Sequence, residues 1–333
     1  MHLAGALLLG ALLPGCRAIA LPSAAPLQAA WGRAVFAAHH LLEPHPLQST
    51  TLEDLANVRV PAGDSGREIC AFAARPAGRS PDDPRKLPVL LVLHEFFGLN
   101  PSIVAKAQGL ADELGCLAIA PDCFRGETTT FIPKAIWLAL STPQGRVNED
   151  LDAVLAWAST QVDVKPNGRV GVLGFCFGGG KAIGYTTQVR RDAATVVFYG
   201  EPVTDVSALA SLSAPVCGIF GVDDPQPTTN QAAANRFRVA LEEAGVEHEV
   251  VSYNGVGHAF WKDMGQIERE EMPQIAAWRL STSFLRNFFE NKPSFAEKRS
   301  FLEFMLAEEG EGEGGREGEE EQQQQGGGEA EAE

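Results

Sequence analysis

Residues Gly174-Phe175-Cys176-Phe177-Gly178 hold a thiol between two glycines, directly after the apolar run Val170-Gly171-Val172-Leu173 and ahead of a helix-compatible segment. This is the G-x-S-x-G spacing of a nucleophile elbow, with cysteine in the serine position. A sharp strand-to-helix turn strains the backbone of its central residue, and neighbours without a Cβ let the turn close. The turn would lift the sulfur to the head of a sheet and set it at a helix N-terminus, where the helix dipole favours the attacking thiolate. The bland alternative is a small apolar residue on a buried turn. A phosphate loop around Gly180-Lys181 does not fit, because Phe175 stands where the first glycine belongs and Ala182 where Ser or Thr is required.

An elbow of this kind takes its partners in the order nucleophile, acid, histidine. Downstream, Val216–Phe220 runs into Gly221-Val222-Asp223-Asp224-Pro225, and Glu249–Tyr253 runs into Asn254-Gly255-Val256-Gly257-His258. His258 is placed to take the thiol proton and return it to a leaving group, with an aspartate holding the imidazole tautomer. Spacing does not separate Asp223 from Asp224, and one of them can serve only the turn ahead of Pro225. The other histidines fit less well: His39, His40 and His45 precede the strands, His248 opens one, and His2 lies near the N-terminus.

The first long apolar run ends in His94-Glu95-Phe96-Phe97-Gly98-Leu99-Asn100. It is no zincin motif, since Gly98 occupies the second histidine position. Glu95 is a charge at the rim of a buried strand, which needs a partner or a function. A backbone N–H just past this strand, assigned here to Phe96, and the N–H of Phe177 are the expected oxyanion donors.

These residues must be positioned by a scaffold, and the patterning supplies one. Short β-rich runs at Ile69–Ala74, Pro88–His94, Cys116–Pro121, Val170–Phe175, Thr195–Tyr199, Val216–Phe220 and Glu249–Tyr253 are separated mostly by segments of helical spacing. The latter are Ser102–Leu114, Val147–Thr160, Gly178–Val189, Asn230–Ala244 and Met272–Glu290; Val147, Leu151, Val154, Leu155 and Ala158 share one helical face. Alternation of this kind predicts an α/β fold with a mostly parallel sheet and helices on both faces. One domain is expected over 55–295. Functional groups in such sheets gather outside the carboxyl ends of the strands, where every candidate above lies.

Composition limits the remaining options. With 333 residues and 45% hydrophobic content the chain can bury a large core and is too apolar to be wholly disordered. A formal charge of -16 argues against a nucleic-acid binder held by phosphate contacts. The acid excess is concentrated: residues 305–333 hold eleven Glu and one Arg, leaving 32 acids against 26 bases elsewhere. A disordered acidic Glu/Gly/Gln tail is expected over 296–333. Leu3–Leu13 contains only Leu, Ala and Gly, and Ala18-Ile19-Ala20 follows as a cleavage pattern. This reads as a signal or targeting peptide over 1–20, although no Lys or Arg precedes the apolar stretch. A linker or short helical lead-in is expected over 21–54. The implied destination is the secretory pathway or an organelle, a plastid included; without a working leader it is the cytoplasm. No integral membrane span is expected after leader removal. Six cysteines form no C-x-x-C pair, which disfavours a disulfide framework or a structural zinc site.

Taken together, the blocks His94–Asn100, Pro121-Asp122-Cys123-Phe124-Arg125-Gly126, Gly174–Gly179, Tyr199-Gly200, the Asp223-Asp224 turn and Gly257-His258-Ala259-Phe260 resemble the dienelactone hydrolase (carboxymethylenebutenolidase) family of α/β-hydrolases over about residues 65–290. The resemblance implies an α/β-hydrolase fold and a triad of Cys176, Asp224 and His258. It also implies that Glu95 contacts the resting thiol, that Arg125 pairs with Glu95 and with a substrate carboxylate, and that Tyr199 borders the substrate. One position departs from the pattern. Bacterial members carry a second carboxylate-binding arginine four residues after the triad histidine, and this chain has Lys262, which keeps the charge but loses the bidentate fork. Trp261 beside it is expected to make the pocket more apolar.

The reading is a Cys-dependent hydrolase of a small-molecule ester, lactone or thioester, working through an acyl-enzyme, needing no metal or organic cofactor, and monomeric. The reading from a different class is a catalytically silent α/β-hydrolase scaffold that binds a ligand or partner.

Overall fold

The computed structural model describes residues 51–293, apart from 63–66, 81, 128 and 130. The leader at 1–20, nearly all of the lead-in at 21–54 and the tail at 296–333 lie outside the described residues.

In chain order the elements are α1 Leu52–Leu55, β1 Val58–Ala62, β2 Arg67–Ala74, β3 Val89–Leu93, α2 Pro101–Leu114, β4 Leu117–Pro121, α3 Ile132–Ser141, α4 Gln144–Ser159 and β5 Val170–Phe175. There follow α5 Phe177–Gln188, β6 Ala194–Phe198, α6 Val206–Leu209, β7 Val216–Gly221, α7 Gln231–Glu243, β8 His248–Tyr253, α8 Gly265–Glu268 and α9 Gln274–Phe289. The strands form one eight-stranded sheet in the order β1-β2-β4-β3-β5-β6-β7-β8. The pairs from β4 through β8 are parallel, while β1 and β2 are antiparallel at one edge.

The central strands are buried along their whole length, the consequence of helices on both faces. Alternate residues serve opposite layers. Leu90, Val92, Ala118, Phe175 and Phe198 pack with Leu110 of α2 and with Phe284 and Leu285 of α9. Leu91, Leu93, Ile119 and Val172 pack with Val147, Leu151 and Val154 of α4. Further along that second face, Val197, Val216 and Phe220 meet Ile183 of α5 and Phe237 and Leu241 of α7. The expected mostly parallel sheet with two helical layers is thus observed.

Strand β1, helix α3 and the short helices α6 and α8 were not legible in the pattern. In β1, Pro61 interrupts a five-residue run, and proline is tolerated because β1 is an edge strand. Helix α3 has Pro133 in its first turn, and it leaves the large apolar side chains of Trp137 and Leu140 exposed, so its apolar residues do not mark one buried face.

Candidate active site

The strand order β3-β5-β6-β7-β8 sets in a row the loops that carry Glu95, Cys176, Tyr199, Asp224 and His258. Cys176 caps α5 with φ 52° and ψ -113°, a conformation that L-residues rarely hold. It is kept there by its own N–H donating to the Phe198 carbonyl (2.9 Å) and by Gly178 N–H donating to the His94 carbonyl (3.1 Å). A Cβ on Gly174 would lie 2.1 Å from the Gly178 carbonyl oxygen, and one on Gly178 would lie 2.4 Å from that of Leu93. Both glycines are steric requirements of the turn. Gly174→Ala is accordingly expected to destabilise the fold by about 3 kcal/mol or more through backbone displacement, measured by denaturant unfolding.

Adjacent strands lie about 4.8 Å apart, so the ends of β5 and β7 are about 10 Å from each other and an acid on β7 cannot reach the thiol directly. The imidazole of His258 spans the gap. Its Nδ1 meets Asp224 Oδ2 at 2.7 Å, and Cys176 lies near enough on the other side for its charge to act on the ring. Asp224 is fixed in turn by the Gln226 N–H (2.9 Å to Oδ1) and the Thr229 hydroxyl (2.8 Å to Oδ2). Asp223 is exposed, and its N–H donates to the Val256 carbonyl (3.0 Å), so of the two aspartates only Asp224 meets the imidazole. Burial alone would lower the pKa of His258. The negative charge of Cys176 and the hydrogen bond to Asp224 outweigh it and raise the value to about 10.

Above Cys176 opens a cavity of about 350 Å³. Phe96, Phe177, Tyr199, Thr229 and His258 line it together with Ile136 and Ala139 of α3, Lys181 and Gln144, and Glu201, Pro202 and Val203 of the loop after β6. Phe177 is the first residue of α5, so its N–H has no partner within the helix, and Phe96 borders the same space. Among the described residues, no three His, Cys, Asp or Glu side chains are grouped so as to hold a metal ion. No helix among them is long and apolar enough to cross a membrane.

Comparison with known proteins places this arrangement. Residues 73–289 match the dienelactone hydrolase family. The chain belongs to that family. It is 31% identical over 267 residues (74% of this chain, 87% of the relative) to a Methylorubrum extorquens protein named "Putative carboxymethylenebutenolidase". A protein of the same name from Escherichia coli K12 is 33% identical over 213 residues, covering 60% of this chain and 75% of the relative. The crystal structure of "Putative Dienelactone Hydrolase" from Klebsiella pneumoniae superposes with a TM-score of 0.55 at 27% identity, covering 66% of this chain and 96% of that one.

As a hydrolase of the dienelactone hydrolase family, the chain departs from several expectations that the resemblance raised. Arg125 does not pair with Glu95. Its Nε and Nη2 fork onto Asp150 of α4, each at 2.9 Å, and it does not line the cavity. Nor does Glu95 bond the thiol: its Oε1 accepts from the Tyr199 hydroxyl at 3.2 Å. Tyr199 does border the cavity, as expected. Lys262 is exposed and outside the cavity lining. Trp261 is fully buried under the site against Phe175, Phe198 and Trp278, so it shapes the core and not the pocket. Spacing fixes where a Cα emerges from a strand but not where a long side chain then turns, and Arg125 turns to the opposite charge of Asp150.

Nothing in the patterning pointed to Lys106. This α2 lysine is fully buried, its Nζ donates to the Trp261 carbonyl at 2.8 Å, and it stands 4.5 Å from the Phe175 ring centroid. The Tyr199 hydroxyl approaches the same carbonyl (3.4 Å), so Lys106 and Glu95 flank one polar core beneath the thiol. Burial lowers the pKa of Lys106, against the opposing charges of Glu95 and Asp263. An amine buried at such a cost predicts that Lys106→Met leaves stability unchanged or raises it by up to about 4 kcal/mol. Lys106→Ala, which opens a cavity, should lower it by about 2–4 kcal/mol. Paired thermal melts distinguish the two outcomes.

Proposed function

We propose that this chain is a cysteine-dependent hydrolase of activated carboxylic esters or lactones, working through an acyl-enzyme on Cys176. The observation that carries the reading is His258 bonded to Asp224 at 2.7 Å, with Cys176 beside it on the wall of the same cavity. Cys176 attacks the substrate carbonyl as thiolate, faced by the imidazolium and the N-terminus of α5. The carbonyl oxygen takes up the negative charge, with the N–H groups of Phe177 and Phe96 in the role of donors. The carbon–oxygen bond to the leaving group then breaks, and the departing alkoxide takes the Nε2 proton of His258. Neutral His258 next accepts a proton from water, whose oxygen attacks the thioester. The carbon–sulfur bond breaks, the acid is released, and the thiolate–imidazolium pair is restored. The names carried by the relatives, carboxymethylenebutenolidase and dienelactone hydrolase, support lactones as one substrate class.

Turnover of p-nitrophenyl acetate tests this. Activity should vanish on stoichiometric alkylation by iodoacetamide, and mass spectrometry of the quenched enzyme should find the acetyl group on Cys176. Turnover that survives alkylation rejects the mechanism. Absence of turnover with any ester or lactone favours the silent scaffold.

A further inference from the structure

We infer that the site takes uncharged esters with an apolar acyl group and discriminates against acyl groups that carry a second carboxylate; this rests on the proposed function and adds its substrate class. The thiol sits within an apolar cluster of its own, in which Cys176 and Phe177 pack with Phe96, Ile136 and Ala139. Pro202 and Val203 extend the apolar wall across the cavity. The cations that the sequence offered for a carboxylate are placed elsewhere: Arg125 is forked onto Asp150, and Lys262 is exposed outside the lining.

One lysine remains on the wall. The Nζ of Lys181 donates to the Thr142 carbonyl at 2.8 Å and stands 5.3 Å from the Phe177 ring centroid. Glu201 lines the same cavity, so the fixed charges of the two side chains offset each other, and an entering carboxylate meets like charge as well as Lys181. Gln144, Gln226 and Thr229 on the wall are uncharged and set no cation against a carboxylate, so burying one beside Phe96, Ile136 and Val203 is costly, whereas a methyl or propyl group loses nothing there and gains contact. Helix α3 contributes two of the apolar residues that decide this, and its part in the wall ties selectivity to a segment that the strand-end motifs do not include.

Two esters with the same leaving group and the same number of acyl carbons isolate the charge: p-nitrophenyl butyrate and mono-p-nitrophenyl succinate. The expected kcat/KM ratio is at least about 100 in favour of butyrate. Ile136→Arg, which brings a cation to the wall, should shift that ratio towards succinate by about tenfold or more. Equal rates, or preference for the succinate, overturn the inference and leave the catalytic reading standing. To keep the two separable, calorimetry on Cys176→Ala compares N-phenylbutanamide with N-phenylsuccinamate, which cannot be turned over by that protein. Selective binding of the neutral amide supports the inference even where ester turnover is absent and the catalytic reading has failed. Equal binding, preference for the succinamate or binding of neither overturns it.

Discussion

Cys176→Ala is expected to lower the turnover of activated esters by roughly 10⁴-fold or more, the scale of losing a nucleophile whose partners act as a unit with it. In the glycine variant the same loss should be accompanied by a gain in stability. Cys176 holds φ 52° and ψ -113°, a conformation that costs an L-residue about 1–3 kcal/mol and glycine almost nothing. Alanine keeps that strain and glycine removes it. Cys176→Gly should therefore be as inactive as Cys176→Ala but melt at a higher temperature, provided the strain exceeds the roughly 1 kcal/mol of extra chain entropy that glycine loses. Initial rates and calorimetric melts of the two variants check both halves. An alanine variant as stable as the glycine variant, or one retaining activity, contradicts this account of the elbow.

Asp224→Asn carries the second large effect, an expected loss of about 10²–10⁴-fold in kcat. In the native protein Oδ2 of Asp224 meets two groups, His258 Nδ1 (2.7 Å) and the Thr229 hydroxyl (2.8 Å). An amide NH₂ in that place turns a donor towards His258 Nδ1, favours the wrong imidazole tautomer and no longer supports the imidazolium. A pH signature separates this from simple damage. The pKa of His258 is raised to about 10 from an ordinary value of 6.5, so its contribution to stability is complete below pH 6.5 and is lost as the pH climbs through 10. Wild-type protein should lose stability across that window. Asp224→Asn, with one of the raising contributions gone, should show a smaller loss that is complete at lower pH. Unfolding free energies from pH 6 to 10.5 make the comparison, and parallel curves for the two proteins count against the buried Asp224–His258 pair.

Much of the framework was legible because it rests on period and punctuation. The seven apolar runs read from the sequence coincide with β2 through β8 to within two residues at either end, since buried parallel strands need near-continuous apolar residues. The glycines around Cys176 announced the elbow because no other residue fits where a Cβ would lie 2.1 Å from a carbonyl oxygen. Position after a strand likewise brought His258 and the Asp223-Asp224 pair to the correct end of the sheet. Helix α3 escaped because Trp137 and Leu140 are exposed, so its apolar residues do not mark one buried face.

What the sequence determined alone was therefore the sheet, the strained turn and the set of groups delivered to its carboxyl end, all fixed by backbone geometry over short stretches of chain. Only the tertiary structure chose between Asp223 and Asp224, drew Arg125 to Asp150, hid Trp261 beneath the site and buried Lys106 against the Trp261 carbonyl. Those outcomes depend on which charges and cavities lie within a few ångströms once distant segments have packed, and the order of residues along the chain does not encode those distances locally.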